Sequence, residues 1–364
     1  MSSSMFKPRR TRHRLWLLTA GVAMMAVTAA GCSGSDSGSD SGSGTAKASG
    51  DGNAAVTLKV GAVPTTSALA LFAALDQGYF TAEELNVKLN FLANGSANVS
   101  ATVGGSQDMF YGDLFAWASA VENGFSLKLL AGANSNTWKT ADGTEARGAS
   151  SFLVPKDSSV KDAKALAGKK IGVNGTPQTR LFVAKWLTDA GVDPTSVKFV
   201  TVAGGPAALQ ALSGKSVDAI LTPPPYDAEG VSKYGFKEIG STQGLLPPNA
   251  LIAGFFSTSK YASAHPETVK KFVSAVRKGA AYANSASPAK RAAILKAYAH
   301  FDIPALATTT GVNDLVQKMP YPVFLDSALD VGQTQQGLDL ATKLGVLDKP
   351  LQLAANTDPT ATEK

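Results

Sequence analysis

At 364 residues and 44% hydrophobic content, the chain can bury a large core as two or three domains or as one two-lobed body. Its single cysteine, Cys32, excludes an intrachain disulfide and a thiolate metal cluster. Lys7, Arg9, Arg10, Arg12 and Arg14 supply five of the 34 basic residues, leaving 29 against 28 acids beyond them, so the net charge of +6 gives no case for nucleic-acid binding.

Those five cations precede an apolar run from Leu15 to Ala30, shorter than the ~20 residues of a stable membrane span. With the small residues Ala29-Ala30-Gly31 at its end, segment 1–31 reads as a secretory signal. The Gly31-Cys32 junction resembles a bacterial lipobox, with alanine at 29 where leucine is usual. That resemblance implies cleavage before Cys32, lipid on its sulfur and an extracytoplasmic, membrane-anchored protein. The Arg9-Arg10 pair leaves the export route, general or twin-arginine, open. Residues 32–55 are Ser/Gly/Asp-rich and cannot bury enough apolar surface to order themselves. They read as a flexible tether reaching roughly 25 Å.

From Val56 onward strand-like and helical runs alternate, and the pattern occurs twice. The first pass is the strand Leu58–Val63, a Pro64-Thr65-Thr66-Ser67 turn, a helix to Gly78, a strand Val87–Phe91, a helix from Asn94 to Gly104-Gly105, and a strand Met109–Tyr111 ending at Gly112-Asp113. The second is Lys170–Val173, a turn at Asn174-Gly175-Thr176, a helix stopped by Gly191, the strand Val197–Val202, a Gly204-Gly205-Pro206 turn, a helix to Gly214, and the strand Ala219–Leu221. Asp108 and Asp218 stand four residues after Gly104 and Gly214. Each half is thus β-α-β-α-β, and the class is α/β. Two apolar extended runs, Ser151–Val154 and Leu251–Phe256, are expected to be the crossings. Lobe 1 is then 56–150 with 252–364, and lobe 2 is 151–251. Helices are expected at Pro266–Asn284, Pro288–His300 and Leu325–Leu344, on the outer face of lobe 1.

Three stretches carry a family resemblance: Leu75-Asp76-Gln77-Gly78-Tyr79-Phe80-Thr81-Ala82-Glu83-Glu84-Leu85-Asn86-Val87, Gly214-Lys215-Ser216-Val217-Asp218-Ala219, and Thr342-Lys343-Leu344-Gly345-Val346-Leu347. The chain from about Leu58 to Leu347 resembles ABC-transporter solute-binding proteins for nitrate, aliphatic sulfonates, taurine and thiamine-pyrimidine precursors. The resemblance implies a type II periplasmic-binding-protein fold, hinge closure on a small solute, delivery to permease subunits driven by a cytoplasmic ATPase, and action as a monomer. Gly175-Thr176-Pro177-Gln178 departs from the Gly-Ser-Thr turn common in that family, which leaves the solute class open.

In open α/β sheets ligands bind beyond the carboxyl ends of the strands, and the candidate residues sit there. Thr176 precedes Pro177 and reads equally as a helix cap and as part of an anion site with Asn174, Gly175, Gln178 and Thr179. Thr65, Thr66 and Ser67 are its counterparts across the cleft. Asp113, after Gly112, suits both an N-cap and an acceptor for a ligand amine or ring N–H. Tyr226 after the Pro223-Pro224-Pro225 run is a stacking wall or part of a stiff loop. Asn134 and Asn136 offer amides and Trp138 a second aromatic face. Arg180 is a weaker anion partner, and Trp117 and Trp186 read as core.

With no cysteine after Cys32 and only His265 and His300 beyond the leader, thiol catalysis is excluded, and neither a metal site nor a cofactor is expected. The chain therefore reads as a non-enzymatic binding lipoprotein for a small anionic or polar solute of the sulfonate, taurine or nitrate type. The alternatives are a planar pyrimidine precursor, a carboxylate enzyme using Asp113 on the same fold, and an adhesive surface lipoprotein.

Overall fold

The computed structural model describes residues 55–92, 95–140, 143, 150–224, 226–247, 249–298 and 320–363. Residues 1–54, on which the expected leader, the lipid site at Cys32 and nearly all of the expected tether fall, lie outside the described residues, as does His300.

The chain begins with β1 (Val56–Ala62), a short turn of 3-10 helix at Thr66–Ala68, α1 (Leu69–Asp76), α2 (Tyr79–Ala82), β2 (Leu85–Phe91), α3 (Gly95–Val103), β3 (Met109–Asp113), α4 (Leu114–Glu122) and β4 (Leu127–Lys139). A second group follows: β5 (Ser151–Val154), β6 (Lys170–Val173), α5 (Pro177–Asp189), β7 (Lys198–Thr201), α6 (Gly204–Ser213), β8 (Ala219–Thr222), α7 (Tyr226–Tyr234) and β9 (Lys237–Ser241). The chain then returns through β10 (Leu251–Thr258), α8 (Ser259–Ala264), α9 (Pro266–Ser285), α10 (Pro288–Tyr298), β11 (Tyr321–Phe324), α11 (Val331–Lys343) and α12 (Pro359–Thr362).

Two sheets result, ordered β11-β4-β10-β3-β1-β2 and β7-β6-β8-β5-β9. In each, three parallel strands (β2-β1-β3 and β7-β6-β8) are extended by an antiparallel strand, β10 or β5. The repeat seen in the sequence extends to individual hydrogen bonds. Asp108 accepts from the Lys59 N–H at 2.7 Å and Asp218 from the Lys170 N–H at 2.8 Å, and each aspartate returns its own N–H to the same lysine's carbonyl at 2.8 Å. These aspartates fasten the entry of the third parallel strand to the start of the first.

The runs Ser151–Val154 and Leu251–Phe256 are β5 and β10, interior strands of the sheets and not the crossings themselves. A strand paired on both edges and covered on both faces reads as one unbroken apolar run, which is why they resembled buried connectors. The first sheet's β4 ends at Lys139 and the second sheet's β5 begins at Ser151; β9 ends at Ser241 and the first sheet resumes with β10 at Leu251. The two passages are tied together where they leave the sheets: the Asn136 N–H donates to the Ala250 carbonyl at 2.8 Å, the Thr137 hydroxyl to Asn249 Oδ1 at 2.9 Å, and the Thr242 N–H to the Ser150 carbonyl at 3.0 Å.

The expected helix over Leu325–Leu344 begins only at Val331, where Asp330 caps it by accepting from the Gln333 N–H at 3.0 Å. Just before it lies β11, an edge strand missed because Pro322 removes a donor from it. An edge position tolerates that loss. The Asn284 side chain fastens β11 to α9 by bonding both the N–H and the carbonyl of Phe324, at 3.0 and 2.9 Å.

The C-terminal helices cover lobe 1. α9 turns Val269, Phe272, Val273 and Val276 inward and packs on α1, whose residues from Leu69 to Ala74 are all buried. Burial of such side chains supplies roughly 25 cal/mol per Å² of apolar surface. Trp117 is fully buried and stacks on Phe256 with ring centroids 5.3 Å apart. Trp186, half-buried, stacks on Phe152 at 3.8 Å. Both tryptophans serve packing, as their apolar neighbours suggest.

Candidate functional site

The loops leaving the parallel strands of both sheets converge on one cavity of about 380 Å³. Lobe 1 contributes Thr65, Thr66 and Ser67 after β1, Gly112 and Asp113 at the end of β3, and Asn134 and Trp138 from β4. Lobe 2 contributes Asn174, Thr176, Gln178 and Thr179 around the start of α5, Gly204 and Gly205 at the start of α6, and Thr222 with Tyr226 after β8. Strand ends in both lobes supply the polar groups because a strand that stops at a helix start leaves backbone and short polar side chains uncovered.

Asp113 is the N-cap of α4: Oδ1 accepts from the Phe115 N–H at 2.6 Å and the Ala116 N–H at 3.1 Å. Its other oxygen, Oδ2, is buried with no hydrogen-bond partner among the described residues. Burial raises the carboxyl to about 7, against the opposing pull of the Ala116 and Phe115 N–H groups.

Beside it, the Tyr111 hydroxyl donates to Asn134 Oδ1 at 3.2 Å. Burial pushes the Tyr111 phenol well above its ordinary range, while hydrogen bonds with Thr65 and Ser67 pull the other way. Holding Oδ1 this way leaves the Asn134 amide N–H₂ group, which is buried and unpartnered, as is the Trp138 indole N–H. Across the cleft the Thr222 hydroxyl is a fourth buried polar group without a partner among the described residues. Leaving such groups unpaired costs roughly 1–3 kcal/mol each, so their convergence on one cavity marks it as built for a guest.

The start of α5 is more self-contained than its sequence implied. Asn174 Oδ1 accepts from the Thr176 N–H, the Thr176 hydroxyl and the Thr179 hydroxyl at 3.1, 3.0 and 2.7 Å, and the Thr176 oxygen takes the Thr179 N–H at 3.3 Å. The Thr179 N–H is therefore used within the cap. The open helix end is that of α6, whose N-cap residue Ala203 offers no side-chain bond. Gly204-Gly205, read from sequence as a turn, thus starts a helix at the cavity wall. Tyr226 packs its ring on Gly205, and burial, with Glu229 adding to it, raises its phenol.

Two candidates stand outside the cavity lining. Asn136 secures a crossing through its backbone N–H, and Gly175, at φ 81°, packs against Thr201. Arg180 is exposed and does not line the cavity, and His265 lies outside the lining, its ring tilted against that of Tyr261 with centroids 4.5 Å apart. Sequence reasoning passed over Tyr111 and Thr222 because both sit inside apolar strands, where a lone polar residue reads as filler. Among the described residues, no Lys, Arg, His or Cys lines the cavity.

A separate, shallower depression of about 420 Å³ on α9 shares no residue with this cavity. There the Arg277 guanidinium is engaged by the carbonyls of Thr360, Ala361 and Glu363 at 2.9, 3.1 and 2.9 Å, so it serves to hold the C-terminus.

Among solved structures, the alkanesulfonate-binding protein SsuA from Xanthomonas axonopodis pv. citri bound to MOPS is similar at 18% identity and a TM-score of 0.64, over 83% of this chain and 98% of that one. The periplasmic aliphatic sulphonate binding protein SsuA from Escherichia coli is similar at 15% identity and a TM-score of 0.64, over 85% and 94%. The desulfurization enzyme DSZB shares the fold at 18% identity and a TM-score of 0.57, over 84% and 96%. No curated protein gives a significant match. The two-lobed periplasmic-binding-protein architecture is thereby established as the fold. The NMT1/THI5-like profile matches residues 65–289, and with the strand-end cavity lying largely inside that span, the chain belongs to the NMT1/THI5-like family.

Proposed function

We propose that this protein is the extracytoplasmic solute-binding component of an ABC importer, anchored by lipid on Cys32, and that it closes its two lobes on a small polar solute for a permease. The observation that carries this reading is the set of buried polar atoms, unpartnered among the described residues, on side chains that line one cavity from both lobes: Asp113 Oδ2, Asn134 Nδ2 and Trp138 Nε1 from one, Thr222 Oγ1 from the other. A guest that satisfies both sets bridges them, and hinge closure follows from that differential contact. The similarity to SsuA proteins makes sulfonates the first class to test. A planar heterocycle is the second reading, favoured by a lining that holds both the Tyr226 ring and Asp113. That no cysteine or histidine stands in the lining among the described residues supports binding without the thiol or imidazole chemistry of an enzyme.

A thermal-shift panel of taurine, alkanesulfonates, nitrate and aminopyrimidines tests the reading, because a ligand that binds only the folded state raises its stability by mass action. The expected result is a saturable rise with one solute class, with the solute recovered unchanged. Chemical conversion of the solute would decide for the carboxylate-enzyme alternative, and no shift with any member would overturn the solute assignment. Cys32→Ser is expected to release the protein from the membrane fraction; retention of the variant would refute the anchor.

A further inference from the structure

The solute reading above is the basis for a more specific one about what the cavity accepts. We propose that Asp113 sets the specificity of the site and that the solute presents to Oδ2 a nitrogen bearing hydrogen, an ammonium or an amino group, so that oxyanions without an N–H group are rejected.

One oxygen of the Asp113 carboxylate is already committed. Oδ1 is held by the Phe115 and Ala116 N–H groups of α4, which leaves Oδ2 as the uncommitted oxygen of a residue in the cavity lining. Oδ2 is buried and has no partner among the described residues. A buried carboxylate oxygen accepts and, once ionised, has nothing to donate, so the group that satisfies it must bring a proton.

The charge inventory of the cavity points the same way. Among the described residues, the titratable side chains lining it are Asp113 and Tyr111 from β3 and Tyr226 from α7; the 3-10 turn after β1, α3, β4, β10, α5, α6 and β8 bring no charged side chain to it. Both tyrosines are raised by burial and stay neutral near pH 7. Among the described residues no Lys, Arg or His lines the cavity, so against these residues a bare anion places a second negative charge in the site with Asp113 and meets no cation to offset it.

The remaining free groups describe the rest of the solute. Asn134 Nδ2 and Trp138 Nε1 are donors, and the Thr222 hydroxyl can donate as well. They ask for acceptor atoms such as sulfonate, carboxylate or carbonyl oxygens or ring nitrogens. The class is therefore two-ended, with a hydrogen-bearing nitrogen at Asp113 and acceptors for the donors. Aminosulfonates and amino-substituted heterocycles share that chemistry.

A rival account keeps Asp113 protonated, so that Oδ2–H donates to an anion. The two differ in the sign of their pH dependence. An ammonium guest favours ionised Asp113, expels its proton and binds more tightly as pH rises from 6 to 8. An anion on the protonated acid binds more tightly as pH falls.

The test is titration calorimetry with the full-length protein in mild detergent, using matched pairs: taurine against ethanesulfonate, and 4-amino-2-methylpyrimidine against 2-methylpyrimidine. In at least one pair the amino member is expected to bind about 10- to 150-fold more tightly than its partner, the span of one hydrogen bond to a charged group. Taurine binding at pH 7 is expected to release protons, measured from buffers of different ionisation enthalpy. Asp113→Asn keeps an oxygen for the cap and is expected to abolish the preference. The proton count in the wild-type protein is independent of whether that variant folds.

Equal binding of ethanesulfonate and taurine, or anion binding that strengthens toward low pH, overturns the proposal while leaving the solute-binding function intact. If neither pair binds, a wider solute library sorts the matter. A hit bearing N–H that is lost in Asp113→Asn supports the proposal, a hit without one refutes it, and no hit at all refutes both the proposal and the function it rests on.

Discussion

The ring of Tyr226 rests directly on Gly205: a β-carbon at position 205 would stand 2.2 Å from Cδ2 and Cε2 of the ring. The glycine that starts α6 therefore also makes the seat for the aromatic wall of the cavity. Gly205→Ala is expected to push the ring off that seat, costing about 1–3 kcal/mol as overpacked sites do, and to weaken solute binding. Urea denaturation and calorimetry on the same variant measure the two effects. Unchanged affinity would mean that Tyr226 does not shape the solute site.

The Tyr111–Asn134 hydrogen bond orients an otherwise free amide. Tyr111→Phe removes the hydroxyl and leaves Asn134 Oδ1 without that donor, at a cost of about 1 kcal/mol in stability. Affinity should fall as well, because the amide is no longer held with its N–H₂ group toward the cavity. A stability loss with full affinity would limit this pair to a structural role.

Asp113 makes stability depend on pH in a defined direction. Its native value of about 7 lies above the ordinary carboxyl value of about 4, so between these limits the native state holds a proton that the unfolded chain has lost. Unfolding free energy therefore falls as pH rises through that window and levels off above it. Asp113→Asn should flatten this part of the profile in ligand-free protein. Denaturant midpoints at pH 4.5, 6 and 8 for both proteins provide the check, and parallel profiles would refute the assignment.

Helices α1 and α9 touch at Gly279, where a β-carbon would sit 2.3 Å from the Ala70 carbonyl oxygen. Because that neighbour is backbone, it can yield only if the helices part. Gly279→Val is expected to destabilise the protein by about 3 kcal/mol or somewhat more and to leave the affinity of the folded fraction unchanged, since this contact lies outside the cavity lining. Scanning calorimetry with a ligand titration separates the two.

The internal repeat offers a stabilising change. Gly105 adopts φ 76°, and Lys215 stands at the corresponding place with φ 55°, a left-handed conformation that costs a side-chain-bearing residue roughly 1–2 kcal/mol. Lys215 also pairs with Asp157 at 2.9 Å, with both side chains largely exposed, and such pairs are worth little. Lys215→Gly is expected to raise stability by up to about 1 kcal/mol after glycine's larger unfolded-state entropy is counted. A lower thermal midpoint would show that the ion pair outweighs the strain.

The doubled β-α-β-α-β order was legible because strand and helix periods differ and because each pass carries its own Gly and Asp markers. Asp108 and Asp218 turned out to close the same pair of hydrogen bonds in each lobe, a local device that local sequence can encode. Residues at strand ends were legible for the same reason, and Thr65, Asp113, Thr176 and Tyr226 all line the cavity. The roles of β5, β10 and β11 were not, since an apolar run says that a segment is buried without saying which strands flank it.

By itself the sequence determined the class of fold, the places where strands give way to helices, and the chemical types brought to those places, because period, capping and turn residues act over a few neighbours. Only the tertiary structure decided which polar groups go unpaired. Thr176 and Asn174 satisfy each other within five residues, whereas Asp113 Oδ2, Asn134 Nδ2, Trp138 Nε1 and Thr222 Oγ1 are left open. Hydrogen-bond satisfaction is a sum over every neighbour in space, and in two lobes brought face to face those neighbours come from both halves of the chain.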